Sequence, residues 1–133
     1  GPLELRFVDA ELPPFEAVIP PLKGKMVAMP RARTRDMVSS AAVATNQHGG
    51  ITIEIGDGEL AARGVNPEKG EAYDVESVTY DGDKYVAGFG GKYLADALSI
   101  GEDDEVEAYF DDELSPLALK YADRIAVVMP MRL

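Results

Sequence analysis

The sequence predicts an α+β domain in which the strands pair mainly antiparallel. Several short segments alternate apolar and polar residues, two segments repeat apolar residues at helical spacing, and Gly, Pro, Asn and Asp separate them. The chain has 133 residues and is 46% apolar, which is enough for one buried core. The predicted order is strand, helix, four strands, helix and three strands, after one additional strand near the start.

The start of the chain predicts two short strands, at residues 5–8 and 25–29, with a proline-rich extended connector between them. Gly1 and Pro2 resemble the remnant of a cleaved expression tag and are left out of the fold. The connector predicts a domain boundary near residue 20.

Residues 30–46 predict the first helix, because Pro30 suits a first helical turn and the His48-Gly-Gly segment ends the pattern. A helical wheel separates a polar, basic side from a small, apolar side. The first side holds Arg31, Arg35, Ser39 and Asn46, and the second holds Met37, Ala41 and Ala44.

Two hairpins are predicted next. Residues 51–55 alternate cleanly, and an Asp57-Gly58 turn joins them to a strand at residues 59–63. A second Asp-Gly turn, at residues 81–82, predicts a second hairpin. The remaining predicted elements are strands at residues 71–80 and 84–89, a helix from 91 to about 100, and strands at 105–110, 117–121 and 124–129.

Charge is unevenly distributed along this chain of net charge −11. Residues 23–35 carry five bases and no acid, whereas residues 102–113 carry eight acids and no base. An acidic protein that gathers its bases on one face can hold a phosphate backbone there while the rest of its surface repels DNA. The alternative is that these bases lie in solvent at the start of a helix and cluster there by chance. Charge alone favours neither interpretation.

The residue inventory predicts no metal, no cofactor and no catalytic centre. There is no Cys and one His, which excludes thiolate zinc sites, disulfides and Cys nucleophiles. The segment from Gly88 to Lys92 lacks the P-loop spacing and predicts a strand-to-helix junction instead. Residues 102–105 lack the EF-hand pattern and predict a solvated loop. The longest apolar run, residues 125–131, is too short to span a bilayer.

Residues 127–133 end the chain with an apolar, methionine-containing segment interrupted by proline. Flexible methionines beside a chain end suit a groove that accepts varied peptides. A last strand followed by a disordered end is the simpler alternative.

Several segments in order resemble the third, C-terminal domain of the beta subunit of bacterial DNA polymerase III, the sliding clamp family. The resemblance covers nearly the whole chain from about residue 6. Its most specific segments are residues 13–20 (PPFEAVIP), 66–72 (NPEKGEA), 88–98 (GFGGKYLADAL), 114–116 (LSP) and 127–133 (VVMPMRL).

The resemblance implies a DNA clamp fold, with antiparallel sheets and two helices on one face. Residues 1–20 would hold the tag remnant, the last strand of the preceding clamp domain and a linker, and residues 21–133 the third domain. In this family two subunits of three domains form a ring that encircles duplex DNA. The ring is a non-catalytic processivity factor, and Arg31, Arg33, Arg35 and Lys92 are expected to face the DNA phosphates without reading bases.

The family binds DNA polymerases, the clamp loader and repair proteins through short peptides. The resemblance implies a peptide pocket on this domain, partly completed by the preceding one. Ala17 and Gly90 replace the Arg and Asn that are frequent in the family, which predicts weaker or altered polar contacts to the peptide. The expected pocket residues are Pro13, Val18, Tyr93, Leu114, Pro116, Val127, Val128, Met129, Pro130, Met131 and Arg132.

The resemblance also implies a subunit interface in the full-length homodimer. An apolar part comes from the end of the first helix, and acids face bases of the neighbouring subunit. Gly70 and Tyr73 replace acids common in relatives, so the interface is expected to be less ionic. The expected interface residues are Val43, Ala44, Glu68, Glu71 and Asp74.

The expected location of the protein is the cytoplasm. Two alternatives to the clamp function stay open at this point. One is a stand-alone protein-interaction module of the same fold that joins no ring. The other is a metal-assisted hydrolase that uses the acids of residues 102–112, for which the sequence supplies no base or nucleophile.

Overall fold

Nine strands and two helices make up the parts of the chain that the structure, a computed structural model, describes. These parts are the backbone of residues 4–7, together with residues 24–45 and 49–132. The elements are β1 (Glu4–Phe7), β2 (Lys25–Pro30), α1 (Arg31–Ala44), β3 (Gly50–Gly56), β4 (Glu59–Asn66), β5 (Gly70–Ser77), β6 (Tyr85–Gly90), α2 (Gly91–Ala97), β7 (Glu105–Phe110), β8 (Leu117–Lys120) and β9 (Arg124–Val128).

The strands form two sheets, and the helices pack on them as a pair. The first sheet has the order β1-β9-β8-β7-β2, and the second has the order β5-β4-β3-β6. All neighbouring strands run antiparallel except β1 and β9, which are parallel. Helix α1 lies against α2 and on β4 and β5, and α2 contacts β6 and β9. The predicted α+β class is therefore confirmed.

One core lies between the two sheets and the helices. Strand alternation supplies much of it, because Ile51, Ile53 and Ile55 of β3 all point inward and are buried. Phe89 of β6 and Phe110 of β7 come from different sheets and belong to the same cluster. Neither helix in the described ranges is long and apolar enough to cross a membrane.

The first predicted hairpin is confirmed. Asp57 and Gly58 both have positive φ, 52° and 75°, as a two-residue turn between twisted strands requires. The turn sets Ile55 opposite Leu60, so both side chains enter the core. The junction at the end of β6 is confirmed as well, because α2 begins at Gly91 directly after that strand.

The second predicted hairpin is wrong. Strands β5 and β6 lie at opposite edges of the second sheet, since β4 and β6 occupy the two sides of β3. Residues 78–84 form the connection, and Tyr80 packs on Phe110 with ring centroids 5.7 Å apart. A turn signal identifies a reversal of the chain, but the pairing partner is chosen by the packing of whole strands.

Helix α1 approaches β4 unusually closely at Gly64. A Cβ atom at this position would overlap the carbonyl oxygen of Ala41, which belongs to the helix backbone. A similar approach occurs at the start of α2, where a Cβ at Gly91 would lie 2.7 Å from the Cβ of Ala42. These glycines allow the helices to lie directly on each other and on the sheet.

We expect Gly64→Ala to lower the free energy of unfolding by about 2–3 kcal/mol, because the added methyl meets backbone atoms that cannot rotate away. Gly56→Ala is the matched control, since its Cβ would lie 3.3 Å from the flexible Lys84 side chain and 3.5 Å from the nearest backbone atom, the Lys84 Cα, which is an ordinary contact distance. Urea unfolding measures both variants. Equal stabilities would contradict the close contact between α1 and β4.

Candidate functional site

The basic residues at the start of α1 are held in place by different partners. Arg31 is half-buried, and its Nε and Nη1 atoms donate to the carbonyl oxygens of Asp103 at 2.7 Å and Leu98 at 3.0 Å. Its backbone N–H also donates to the carbonyl of Asp104 at 2.9 Å. Arg31 therefore joins the first turn of α1 to the loop after α2, and much of its hydrogen-bonding capacity is used inside the domain.

Of the other predicted DNA-facing residues, Arg33 and Lys92 are exposed and Arg35 is half-buried. Arg33 forms a two-point ion pair with the carboxylate of Asp74 on β5, at 3.1 and 3.3 Å. Arg35 pairs with its neighbour Asp36 at 3.1 Å, and Lys92 is exposed on the first turn of α2. Ion pairs this exposed are weak, so phosphates can compete for these arginines.

The structure brings a predicted DNA-facing residue, Arg33, together with a predicted interface residue, Asp74. The backbone N–H of Val75 and, second, the Arg33 guanidinium lower the pKa of Asp74. Glu71, another predicted interface residue, pairs with Arg63 at 3.1 Å. Two of the three predicted interface acids therefore already have basic partners within this chain.

The predicted interface residues lie at two neighbouring places. Val43 is exposed and Ala44 half-buried at the end of α1, and Glu68 is exposed in the turn before β5. Strand β5 is an edge of the second sheet. The exposed ring of Tyr73 lies on β5 with the guanidinium of Arg63 5.0 Å from its centre.

A buried polar pair lies between α1 and β5 and was missed by the sequence analysis. The Thr34 hydroxyl donates to Oε2 of Glu76 at 2.5 Å, and both residues are buried. The other carboxylate oxygen, Oε1, has no hydrogen-bond partner in the described ranges. No local pattern in the sequence indicates it, because Glu76 is buried by its place opposite the core residue Leu60 on β4 and against Thr34 of α1.

Burial raises the pKa of Glu76, and the Thr34 hydrogen bond and the Arg33 charge only partly oppose this effect. The charged form of this carboxyl group is therefore less favourable in the folded chain than in the unfolded chain, which lowers stability at neutral pH. This cost shrinks as pH falls through the raised folded-state pKa, and it is gone below the pKa of the unfolded chain.

The predicted peptide-binding residues divide into exposed and buried groups. The side chains of Tyr93, Leu114 and Met131 are exposed by 47%, 62% and 43%, which is unusual for large apolar groups. Pro116, Met129 and Pro130 are half-buried, and Arg132 is exposed. Val127 and Val128 are buried, on opposite faces of the first sheet. Pro13 and Val18, like Ala17, lie outside the described residues.

Local hydrogen bonds hold two of the exposed apolar residues. A carboxylate oxygen of Asp112 accepts the backbone N–H of Leu114 and the Ser115 hydroxyl, each at 2.9 Å, which presents Leu114 at a loop tip. The Leu114 N–H is the main cause that lowers the pKa of Asp112. The backbone N–H of Met131 donates to the carbonyl of Gly88 on β6 at 2.8 Å.

The acidic segment gives no sign of a metal centre. Across residues 24–45 and 49–132, no three His, Asp or Glu side chains converge on a possible metal position. The hydrolase alternative therefore gains no structural support.

The two mainly antiparallel sheets, together with a pair of packed helices and a tail that exposes Met131, define a domain of the DNA clamp class. The family model described as DNA polymerase III beta subunit, C-terminal domain, matches residues 16–132. The chain therefore belongs to the family of DNA polymerase III beta subunits.

Individual relatives agree with this assignment. The beta sliding clamp of Pseudomonas putida is 34% identical over 132 residues, which is 96% of this chain and 36% of the relative. A sliding clamp from Pseudomonas aeruginosa, in a crystal structure bound to griselimycin, matches with a TM-score of 0.81 and 32% identity over 94% of this chain and 35% of the clamp. The Thermotoga maritima beta subunit matches with a TM-score of 0.80 and 29% identity over 94% and 35%. The chain spans about a third of the length of the curated relatives it matches.

We expect Glu76→Gln to be more stable than the parent chain at pH 7 by about 1 kcal/mol, because it removes a carboxyl group whose charged form is disfavoured by burial. The folded-state pKa of Glu76 is raised, so the parent gains stability as pH falls through that pKa. The advantage of the variant should therefore shrink on acidification and level off below about pH 4, the ordinary Glu value.

Urea unfolding at a series of pH values measures this difference. Glu113→Gln, which alters an exposed glutamate, is the control and should follow the parent at every pH. A constant difference between Glu76→Gln and the parent across the series would show that Glu76 does not titrate as described.

Proposed function

We propose that this chain is the third domain of a bacterial sliding clamp. In this proposal residues 21–133 form the domain, and the residues before them contain the last strand of the preceding domain and a linker. The family match over residues 16–132 supports the assignment to the third domain, and the parallel pairing of β1 with β9 at the edge of the first sheet is consistent with β1 being an added strand. The parent ring would encircle duplex DNA in the cytoplasm as a non-catalytic processivity factor for the replicative polymerase.

The exposed apolar residues support a peptide-docking role for this domain. Tyr93, Leu114 and Met131 lie on three different segments, and each exposes more than two fifths of its side chain to solvent. Apolar side chains of a partner peptide would gain free energy by covering them. The partners would be DNA polymerases, the clamp loader and repair proteins. The griselimycin-bound clamp from P. aeruginosa supports a site of this kind, and we expect griselimycin to bind here.

The basic end of α1 supports a DNA-facing role in the ring. Arg33, Arg35 and Lys92 are accessible enough to contact phosphates, and such contacts carry no sequence information. Arg31 contributes mainly by positioning the first turn of α1. A net charge of −11 opposes DNA binding by the isolated chain, so closure of the ring would have to keep it on DNA.

The β5 edge and the end of α1 are the proposed subunit interface. Val43 supplies an exposed apolar contact there, and the acids on and before β5 would face bases of the neighbouring subunit. Glu71 and Asp74 would have to exchange Arg63 and Arg33 for these new partners, which costs little at such exposed positions.

We expect Met131→Ala to weaken griselimycin binding by about ten-fold, because the exposed methionine would be covered by the ligand. Deletion of residues 131–133 should weaken binding further, since it also removes the hydrogen bond to Gly88. Met26→Ala is the control, because Met26 is also 43% exposed but lies on β2. Fluorescence polarisation with labelled griselimycin measures the affinity of each variant. Unchanged binding by Met131→Ala would contradict the assignment of the pocket.

The 133-residue chain is expected to show no stable binding to a labelled duplex at physiological salt, because its negative net charge repels DNA. Any residual binding at low salt should fall in the double variant Arg35→Gln, Lys92→Gln. The control is Lys120→Gln, a base on β8. Gel shifts with several sequences test this, and tight, sequence-selective binding would contradict the proposed role.

A further inference from the structure

Two glycines face each other on the neighbouring strands β3 and β6, beneath the exposed apolar residues. Gly50 and Gly90 are cross-strand partners, so their Cβ positions would point to the same face of the second sheet. Their neighbours Ile51 and Phe89 point into the core and are fully buried. By strand alternation, Gly50 and Gly90 are therefore on the outward face.

The side chain of Met131 lies directly on Gly50. A Cβ atom at Gly50 would be 2.8 Å from the Met131 sulfur and 3.4 Å from its terminal methyl carbon. The backbone of Met131 is held at the same place by its hydrogen bond to Gly88. The methionine thus occupies the space that any other residue at position 50 would fill.

The ring of Tyr93 lies on Gly90 in the same manner. A Cβ atom at Gly90 would be 2.8 Å from Cδ2 of the ring and 3.5 Å from Cε2. Gly90 does not need to be glycine for its backbone, because its φ of −64° and ψ of 116° are open to all residues. Space for the tyrosine ring is what glycine supplies here.

We propose that Gly50 and Gly90 form a glycine floor that positions Met131 and Tyr93 side by side and so determines which peptides dock. This inference rests on the proposed peptide-docking function. Because the floor carries no side chains, the methionine and the ring lie low on the sheet and leave room above them. The site therefore selects a peptide with a bulky aliphatic or aromatic side chain that covers both groups.

A methyl group on the glycine floor would displace the side chain above it. This change would lower the affinity for a peptide without lowering the stability of the fold. Both residues above the floor are exposed, so they can move outward into solvent. Neither glycine has a positive φ, so alanine causes no backbone strain. Gly50→Ala and Gly90→Ala should therefore retain the unfolding midpoint of the parent while losing affinity.

Gly56→Ala is the matched control. Gly56 lies on β3 and on the same face as Gly50, and its Cβ would contact Lys84, at 3.3 Å from the side-chain Cγ and 3.5 Å from the Cα, rather than Met131 or Tyr93. We expect about a ten-fold loss of affinity for labelled griselimycin in each floor variant, and a change within about two-fold in the control.

A double variant shows whether Gly50→Ala lowers affinity by displacing Met131 or by a general change of the surface. In the Met131→Ala background, Gly50→Ala should cause no further loss, because the side chain that it displaces is gone. A second full ten-fold loss in the double variant would overturn the proposal, and so would parent-like affinity in Gly50→Ala.

A measurement on the ligand-free protein tests the glycine floor independently of the proposed docking function. The Met131 methyl resonance of ¹³C-methyl-methionine protein, assigned through its loss in Met131→Ala, should shift in Gly50→Ala and stay in place in Gly56→Ala. An unshifted resonance in Gly50→Ala overturns the glycine floor even if the parent binds griselimycin. If the parent binds nothing, the docking function fails, and the selection of peptides by the floor fails with it.

Discussion

The contact between helix α1 and the sheet beneath it determines where every candidate surface lies. Gly64 lets the helix backbone at Ala41 rest directly on β4, and Gly91 lets α2 approach the helix at Ala42. With its C-terminal half held in this way, α1 has only one direction in which its first turn can extend. Arg31 then reaches the loop after α2, where carbonyl groups accept its hydrogen bonds. Small residues at a close contact thus place the charged end of the helix.

The C-terminal tail connects the two sheets. Strand β9 belongs to the first sheet, but Met131, three residues beyond it, bonds to Gly88 on the second. The proposed peptide site lies along this crossing and combines α2, the loop that carries Leu114, and the tail. Because the site is assembled from distant segments, its shape depends on the packing of both sheets. The buried Val128 contributes as support beneath the tail.

Several basic side chains in the described residues pair with acids of the same domain. Arg33 and Arg63 pair with acids on β5, and exposed pairs of this kind exchange partners at little cost. The buried Glu76 is different, because its position under α1 leaves it without a basic partner at contact distance among those residues. The β5 edge therefore carries exposed, weak ion pairs on its surface and a buried carboxyl group, that of Glu76, beneath α1.

The sequence by itself determined the element types, since period-two and helical patterns arise from the geometry of each segment alone. It also determined the hairpin at Asp57-Gly58, where the turn residues and the strands agree, and its motifs were sufficient to identify the family. Tertiary structure decided the placement of β5 and β6 at opposite edges, because β3 offers two sides and local signals do not choose between them. It likewise decided that Glu76 is buried and that two glycines lie under Met131 and Tyr93, because such contacts join residues far apart in the chain.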